Sequence, residues 1–181
     1  MTLVISQTKV LTPNPADLAG YHTLPIDNAR LAMLLLHCER AGTGYLMGAK
    51  ADEPFSWPPR FHDENGQSVN AVDCSGFGKY AIWFATHGKV TPPDGTSQIK
   101  PWLDKQGFKH HPGSDYDAVC GLKDGHCRAC ITTSEDGHPY GHFWLDRDGL
   151  TEESYGGNGP GSRSFATGVL LRIVTDIYVL S

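Results

Sequence analysis

The sequence predicts an α+β domain in which helices come first and antiparallel strands follow. Two observations carry this reading. In the first hundred residues, apolar side chains recur at spacings of three and four, the period of a helix face. From Cys127 onward they fall into short runs separated by turn residues, the habit of strands in a meander. A length of 181 residues suits one domain, assigned to residues 26–181, preceded by an arm over residues 1–25.

The arm is irregular, with Pro13, Pro15 and Pro25 as breakers. Ile26–Arg40 follows as a helix. Asp27 or Asn28 can cap it, Leu31, Leu34, Leu35 and Cys38 share one face, and Gly42 and Gly44 end it. Residues 46–72 form a long polar connection, a kind of loop that is often functional in a compact domain. A second helix opens at Cys74, behind Asp73. Phe77, Tyr80, Ala81 and Phe84 make its buried face and Gly88 closes it. Residues 96–107 predict a short third helix with Pro101 in its first turn. Strands are expected over Cys127–Thr133, Gly141–Asp146 and Leu150–Tyr155, with turns at residues 135–137 and at Asp148 and Gly149. The segment GGNGPGS reads as a loop, and Gly168–Leu180 as one or two closing strands.

Bulk properties narrow the function. A net charge of −5 with interspersed signs argues against a broad nucleic-acid surface. No apolar run approaches the roughly 20 residues of a membrane span. The N-terminus shows neither the basic nor the apolar region of a secretion signal, which is expected either of a mature form or of a protein that leaves the cell by another route. Five cysteines cannot all pair within the chain, and a reducing origin is the simpler expectation.

Cys74 is the centre of the chemistry. A thiol at the first turn of a helix feels the positive end of the helix dipole, which favours the thiolate. Ser75 and Gly76 behind it are small enough to admit a substrate carbonyl, and backbone N–H groups there can hold an oxyanion. A buried structural cysteine is the other reading of the same position. Among the histidines, His142 begins a predicted strand, while His138 lies in the preceding turn and competes for the same role. His37, His110 and His111 read as packed or surface residues. CGLKDGHCRAC could bind zinc through Cys120, His126, Cys127 and Cys130, or hold a Cys120–Cys127 disulfide. A strand over Cys127 and Cys130 would turn them to opposite faces and oppose joint ligation, which leaves plain thiols as the expectation. Trp57 and Phe61 could line a cleft in the long loop, whereas Trp83, Trp102, Trp144 and Tyr155 read as core.

The block AVDCSGFGKYAIW resembles the DCSGF block of NlpC/P60 cysteine peptidases. GYLMGAK is similar to that family's Tyr–x–Trp–Gly–Gly segment. YGHFWLDRDGLTEESYGG is similar to its Gly-His strand and the strand after it, and TPPDGTSQIKPW is a fainter match to the segment between. The similarity runs from about Leu31 to Phe165. It implies a papain-like fold with the nucleophile helix packed on an antiparallel sheet. It also implies a hydrolase that cuts peptide or amide bonds of peptidoglycan stem peptides through an acyl-enzyme, with no metal or other cofactor. Cys74 then matches the nucleophile, His142 the general base, and Glu153 the third residue that orients the imidazole. The family carries His, Asn or Gln at that third position, so the carboxylate is a departure, and Ser154 and Asn158 are rivals. Tyr45 matches a tyrosine that helps bind the oxyanion, although Met47 stands where the family has Trp. Ser75 and Trp57 would flank the substrate, and Arg163 could meet a stem-peptide carboxylate. A phage lysin or an injected antibacterial effector would fit, acting at the bacterial wall or periplasm, with an immunity or inhibitor protein as a further partner. An acyltransferase or another amide hydrolase on the same fold, and a non-enzymatic wall-binding module, are the alternatives.

Overall fold

The computed structural model describes residues 15–134, 141–165 and 174–181. Helix α1 spans Asn28–Ala41. The Asp27 carboxylate caps it by accepting from the Ala29 and Arg30 N–H groups, and Gly42 ends it in the left-handed conformation that glycine adopts without strain. Leu31, Leu34 and Cys38 are buried, with Leu35 half-buried beside them, as the spacing predicts.

The long polar connection is not structureless. It carries three two-residue strands, β1 (Lys50–Ala51), β2 (Phe61–His62) and β3 (Ser68–Val69), paired antiparallel in that order. Strands this short leave no alternation to read. They are held by local chemistry, notably the Asp63 carboxylate accepting from the Asn65 and Gln67 N–H groups.

Helix α2 spans Cys74–Ala85 and is buried on nearly every side. It ends at Ala85, ahead of Gly88, and the Thr86 hydroxyl that follows donates back to the Ile82 carbonyl. Helix α3 spans Thr96–Gln106, so Pro101 lies in its interior and not in its first turn. Ile99 and Leu103, both buried, hold the helix against the core on either side of the proline. Strand β4 (Lys109–Pro112) and the short helix α4 (Tyr116–Cys120) complete the first half; neither shows apolar periodicity in the sequence.

The second half is strand-rich: β5 (Cys127–Thr132), β6 (His142–Arg147), β7 (Leu150–Tyr155), β8 (Gly159–Ser164) and β9 (Asp176–Val179). With β4 they form one six-stranded antiparallel sheet in the order β4-β9-β5-β6-β7-β8. The expectation of a loop at GGNGPGS is corrected in part: Gly159 onward pairs with β7 as an edge strand. Backbone pairing needs no apolar side chains, and an edge tolerates Pro160, which has no N–H to donate. The expected turn at residues 135–137, His138 and the start of the predicted closing strands fall outside the described residues.

One face of the sheet, through Ala129, Ile131, Phe143 and Leu145, packs on α1, α2 and α3. The other, through Cys130, Trp144 and Ile177, packs on Tyr116 and Cys120 of α4. The described part of the arm lies against this body: Leu24 is buried in the main core and its N–H donates to the Leu180 carbonyl. No helix among the described residues is long and apolar enough to cross a membrane.

Candidate active site

The site grows from the start of α2. Asp73 precedes the helix in an extended conformation, and its carboxylate accepts from the Gly76 N–H at 2.7 Å. The same carboxylate accepts from the Ser75 hydroxyl at 3.0 Å and the Gly48 N–H at 3.1 Å, and pairs with Lys50. Lys50 also donates to the Ser75 hydroxyl at 2.8 Å. The turn before the cysteine is thus tied to β1 by one buried carboxylate. The Ser154 hydroxyl adds a second tie from β7, donating to the Val72 carbonyl at 2.7 Å.

Cys74 is therefore a fixed residue on a fixed helix. It is 6% exposed, and its sulfur lies 4.0 Å from the Gly141 carbonyl oxygen. Close approach here depends on two glycines. A Cβ at Gly78 would collide with the Phe143 ring, so α2 lies directly against β6. A Cβ at Gly141 would collide with the Thr96 hydroxyl, so the chain entering β6 runs between α3 and Cys74.

His142, the first residue of β6, directly follows Gly141, whose carbonyl lies against the sulfur, and this brings the His142 ring close enough to Cys74 for the two side chains to interact. Its Nε2 lies 2.8 Å from Oε2 of Glu153. That leaves Nδ1 as the ring nitrogen available to the thiol. The ring stacks on Trp144 at 5.3 Å, which fixes its plane. Burial alone would push the imidazole pKa down. The contacts with Cys74 and Glu153 outweigh this and raise it from 6.5 to about 9.

Glu153 is completely buried. Its other oxygen, Oε1, accepts from the Thr151 hydroxyl at 2.7 Å and from Arg163 through Nε at 2.9 Å and Nη2 at 2.8 Å. Burial raises a carboxyl pKa, but His142, Thr151 and Arg163 together hold Glu153 below the ordinary value. A carboxylate so placed keeps its charge and favours an imidazolium.

The structure thus brings Cys74, His142 and Glu153 into one chain of contacts. Tyr45 is near as well: burial first, then the charges at Cys74 and Asp73, raise its hydroxyl to about 12. That hydroxyl donates to the Met47 sulfur at 3.6 Å. Ser75 is buried and engaged with Asp73 and Lys50. Arg163, expected to face substrate, directs its guanidinium onto Glu153 and over the Tyr155 ring at 4.1 Å. Ser154 holds Val72, and Asn158 sits exposed in the turn between β7 and β8. Trp57 is not brought to Cys74. It stacks on Phe84 at 4.6 Å, ten residues and about 15 Å further along α2. Phe61 is in the core, and His37 packs on Trp57. His110 and His111 lie near Asp176 and Asp115.

Three contributors were not singled out from sequence. Thr151 had a signal, since residues two apart on a strand share a face with Glu153. Lys50 and Thr96 had none, because their roles come from distant segments packed together.

The CGLKDGHCRAC residues do not converge on one point. Cys127 lies in the core beneath the helices, Cys130 faces Cys120 on the other side of the sheet, and His126 bonds the Ser181 carbonyl. The five thiols are unpaired, and the Cys120 sulfur meets Cys130, not Cys127. No group of three metal-binding side chains is found among the described residues. In comparisons with known proteins, no family and no curated protein matches the chain.

Proposed function

We propose that the protein is a cysteine peptidase of the NlpC/P60 type, with a papain-like arrangement, that hydrolyses peptide or amide bonds in bacterial peptidoglycan stem peptides. The observation that carries this reading is the placement of Cys74, at the start of a buried helix, against the Gly141 carbonyl that leads directly into His142, whose Nε2 meets the buried Glu153 carboxylate at 2.8 Å. The motif resemblance supplies the substrate class.

In this mechanism His142 takes the thiol proton through Nδ1 and the sulfur attacks the scissile carbonyl carbon. The carbonyl oxygen becomes an oxyanion. It meets the Cys74 and Ser75 N–H groups at the start of α2, since the Gly76 N–H is taken by the Asp73 carboxylate, and the Tyr45 hydroxyl. The tetrahedral intermediate collapses as the imidazolium returns the proton to the leaving amine, forming a thioester. Water, deprotonated by His142, attacks the thioester and releases the acid and the free thiol. Glu153 stays ionised throughout and stabilises the imidazolium. The substrate places the enzyme at the bacterial wall, reached by phage or by injection, with an inhibitor protein guarding the producer.

Incubation of the full chain with purified peptidoglycan, followed by mass analysis of soluble fragments, tests this. Wild type should release new peptide ends and Cys74→Ala should release none while keeping its circular dichroism. Intact peptidoglycan after wild-type treatment, or equal release by Cys74→Ala, would overturn it.

A further inference from the structure

Four cysteines take no part in the chemistry above, and two of them meet. Cys120 ends α4 and Cys130 lies mid-strand in β5, yet their sulfurs are 3.6 Å apart. Both are entirely buried, enclosed with Tyr116, Trp144 and Ile177. Cys127 and Cys38, by contrast, sit in the other core.

We propose that Cys120 and Cys130 form a modification site, an intramolecular disulfide made when the chain folds in the presence of a small-molecule disulfide such as oxidised glutathione. The exchange balances in two steps. One cysteine thiolate attacks the glutathione disulfide, forming a mixed disulfide and expelling one glutathione thiolate. The second cysteine thiolate then attacks the mixed disulfide at the protein sulfur and expels the other. Two protein thiols are oxidised, one glutathione disulfide is reduced to two thiols, and the two cysteine protons end on them.

The geometry also sets when this occurs. Burial, then the neighbouring Cys120, pushes the Cys130 thiol well above its ordinary value, so the folded protein offers little thiolate. The bond therefore closes during folding, and slowly once the core has formed. It pins α4 to β5, the strand beside the one that carries His142. The inference does not depend on the catalytic reading.

Refolding the full chain from denaturant, with oxidised or reduced glutathione, tests it. Lys123 and Arg128 place Cys120, Cys127 and Cys130 on three separate tryptic peptides. Without reductant, the oxidised sample should yield the Cys120 peptide joined to the Cys130 peptide. Its melting temperature should exceed that of the reduced sample, and this gain should vanish in Cys120→Ala and in Cys130→Ala. Absence of the joined peptide, or Cys120 joined to Cys127, would overturn the proposal, and the wild-type peptide map decides even where a variant fails to fold.

Discussion

At the scale of single residues, the proposed mechanism needs a proton path, and one buried carboxylate, Glu153, holds the imidazole that would form it. His142 is raised to about 9, so the imidazolium that would protonate the leaving amine in the proposed mechanism persists through neutral pH. The alkaline limb of hydrolysis should therefore fall near pH 9. Because the folded value lies above the unfolded one, the stability that His142 contributes is full below about pH 6.5 and is lost as the pH rises through about 9. Glu153→Gln removes the charge that favours the imidazolium. It should lower kcat/KM by roughly 10²-fold or more and move the alkaline limb to lower pH, as a pH–rate profile would show. Arg163 acts through Glu153. Arg163→Met should let the Glu153 pKa rise and move the acidic limb of activity to higher pH, and Arg163→Lys should restore part of that shift. An unchanged acidic limb in Arg163→Met would mean that Arg163 does not hold the carboxylate.

At the scale of elements, position comes from close packing. Phe143 is wholly buried and cannot move aside for a side chain at residue 78. Gly78→Ala should cost roughly 1–3 kcal/mol in denaturant unfolding and reduce activity by displacing β6 from α2. Full stability in that variant would refute the close approach. Much of this level was legible in the sequence, and the reasons are local. Asp73 before Cys74 is a capping signal, the spacing of Phe77, Tyr80, Ala81 and Phe84 is a helix period, and Asp148-Gly149 marks the hairpin between β6 and β7. His142 and Glu153 lie on those adjacent strands, so the same signals put them within reach of each other. What local signals could not convey was pairing at a distance. Strand β8 is glycine- and proline-rich and is held by the backbone of β7. Lys50 and Thr96 reach the site only through tertiary contact, and Arg163 turns inward because Thr151 and Arg163 are cross-strand neighbours.

At the scale of the whole molecule, the sheet carries an internal cost on its α4 face. Asp146 is completely buried, and neither carboxylate oxygen has a hydrogen-bond partner among the described residues. Burial, opposed by Arg128 and reinforced by Glu152, Asp124 and Asp148, raises it from 3.8 to about 8. Between those values the native state binds a proton that the unfolded state has lost, so stability falls as pH rises from about 4 to about 8. Asp146→Asn should remove that slope and raise the melting temperature at pH 8 by a few degrees, as calorimetry would show. The molecule as proposed is a rigid frame that presents one coupled thiol, and that coupling can be measured without knowing the bond cut. Exposure alone favours alkylation of Cys74 over the four other cysteines, which are fully buried. The informative quantity is therefore the rate at which iodoacetamide modifies Cys74 at pH 7, by peptide mass, in wild type and in His142→Ala. The account predicts rapid modification in wild type and a rate at least about tenfold lower in His142→Ala, because the base that takes the thiol proton is gone. Equal rates in the two proteins would contradict it.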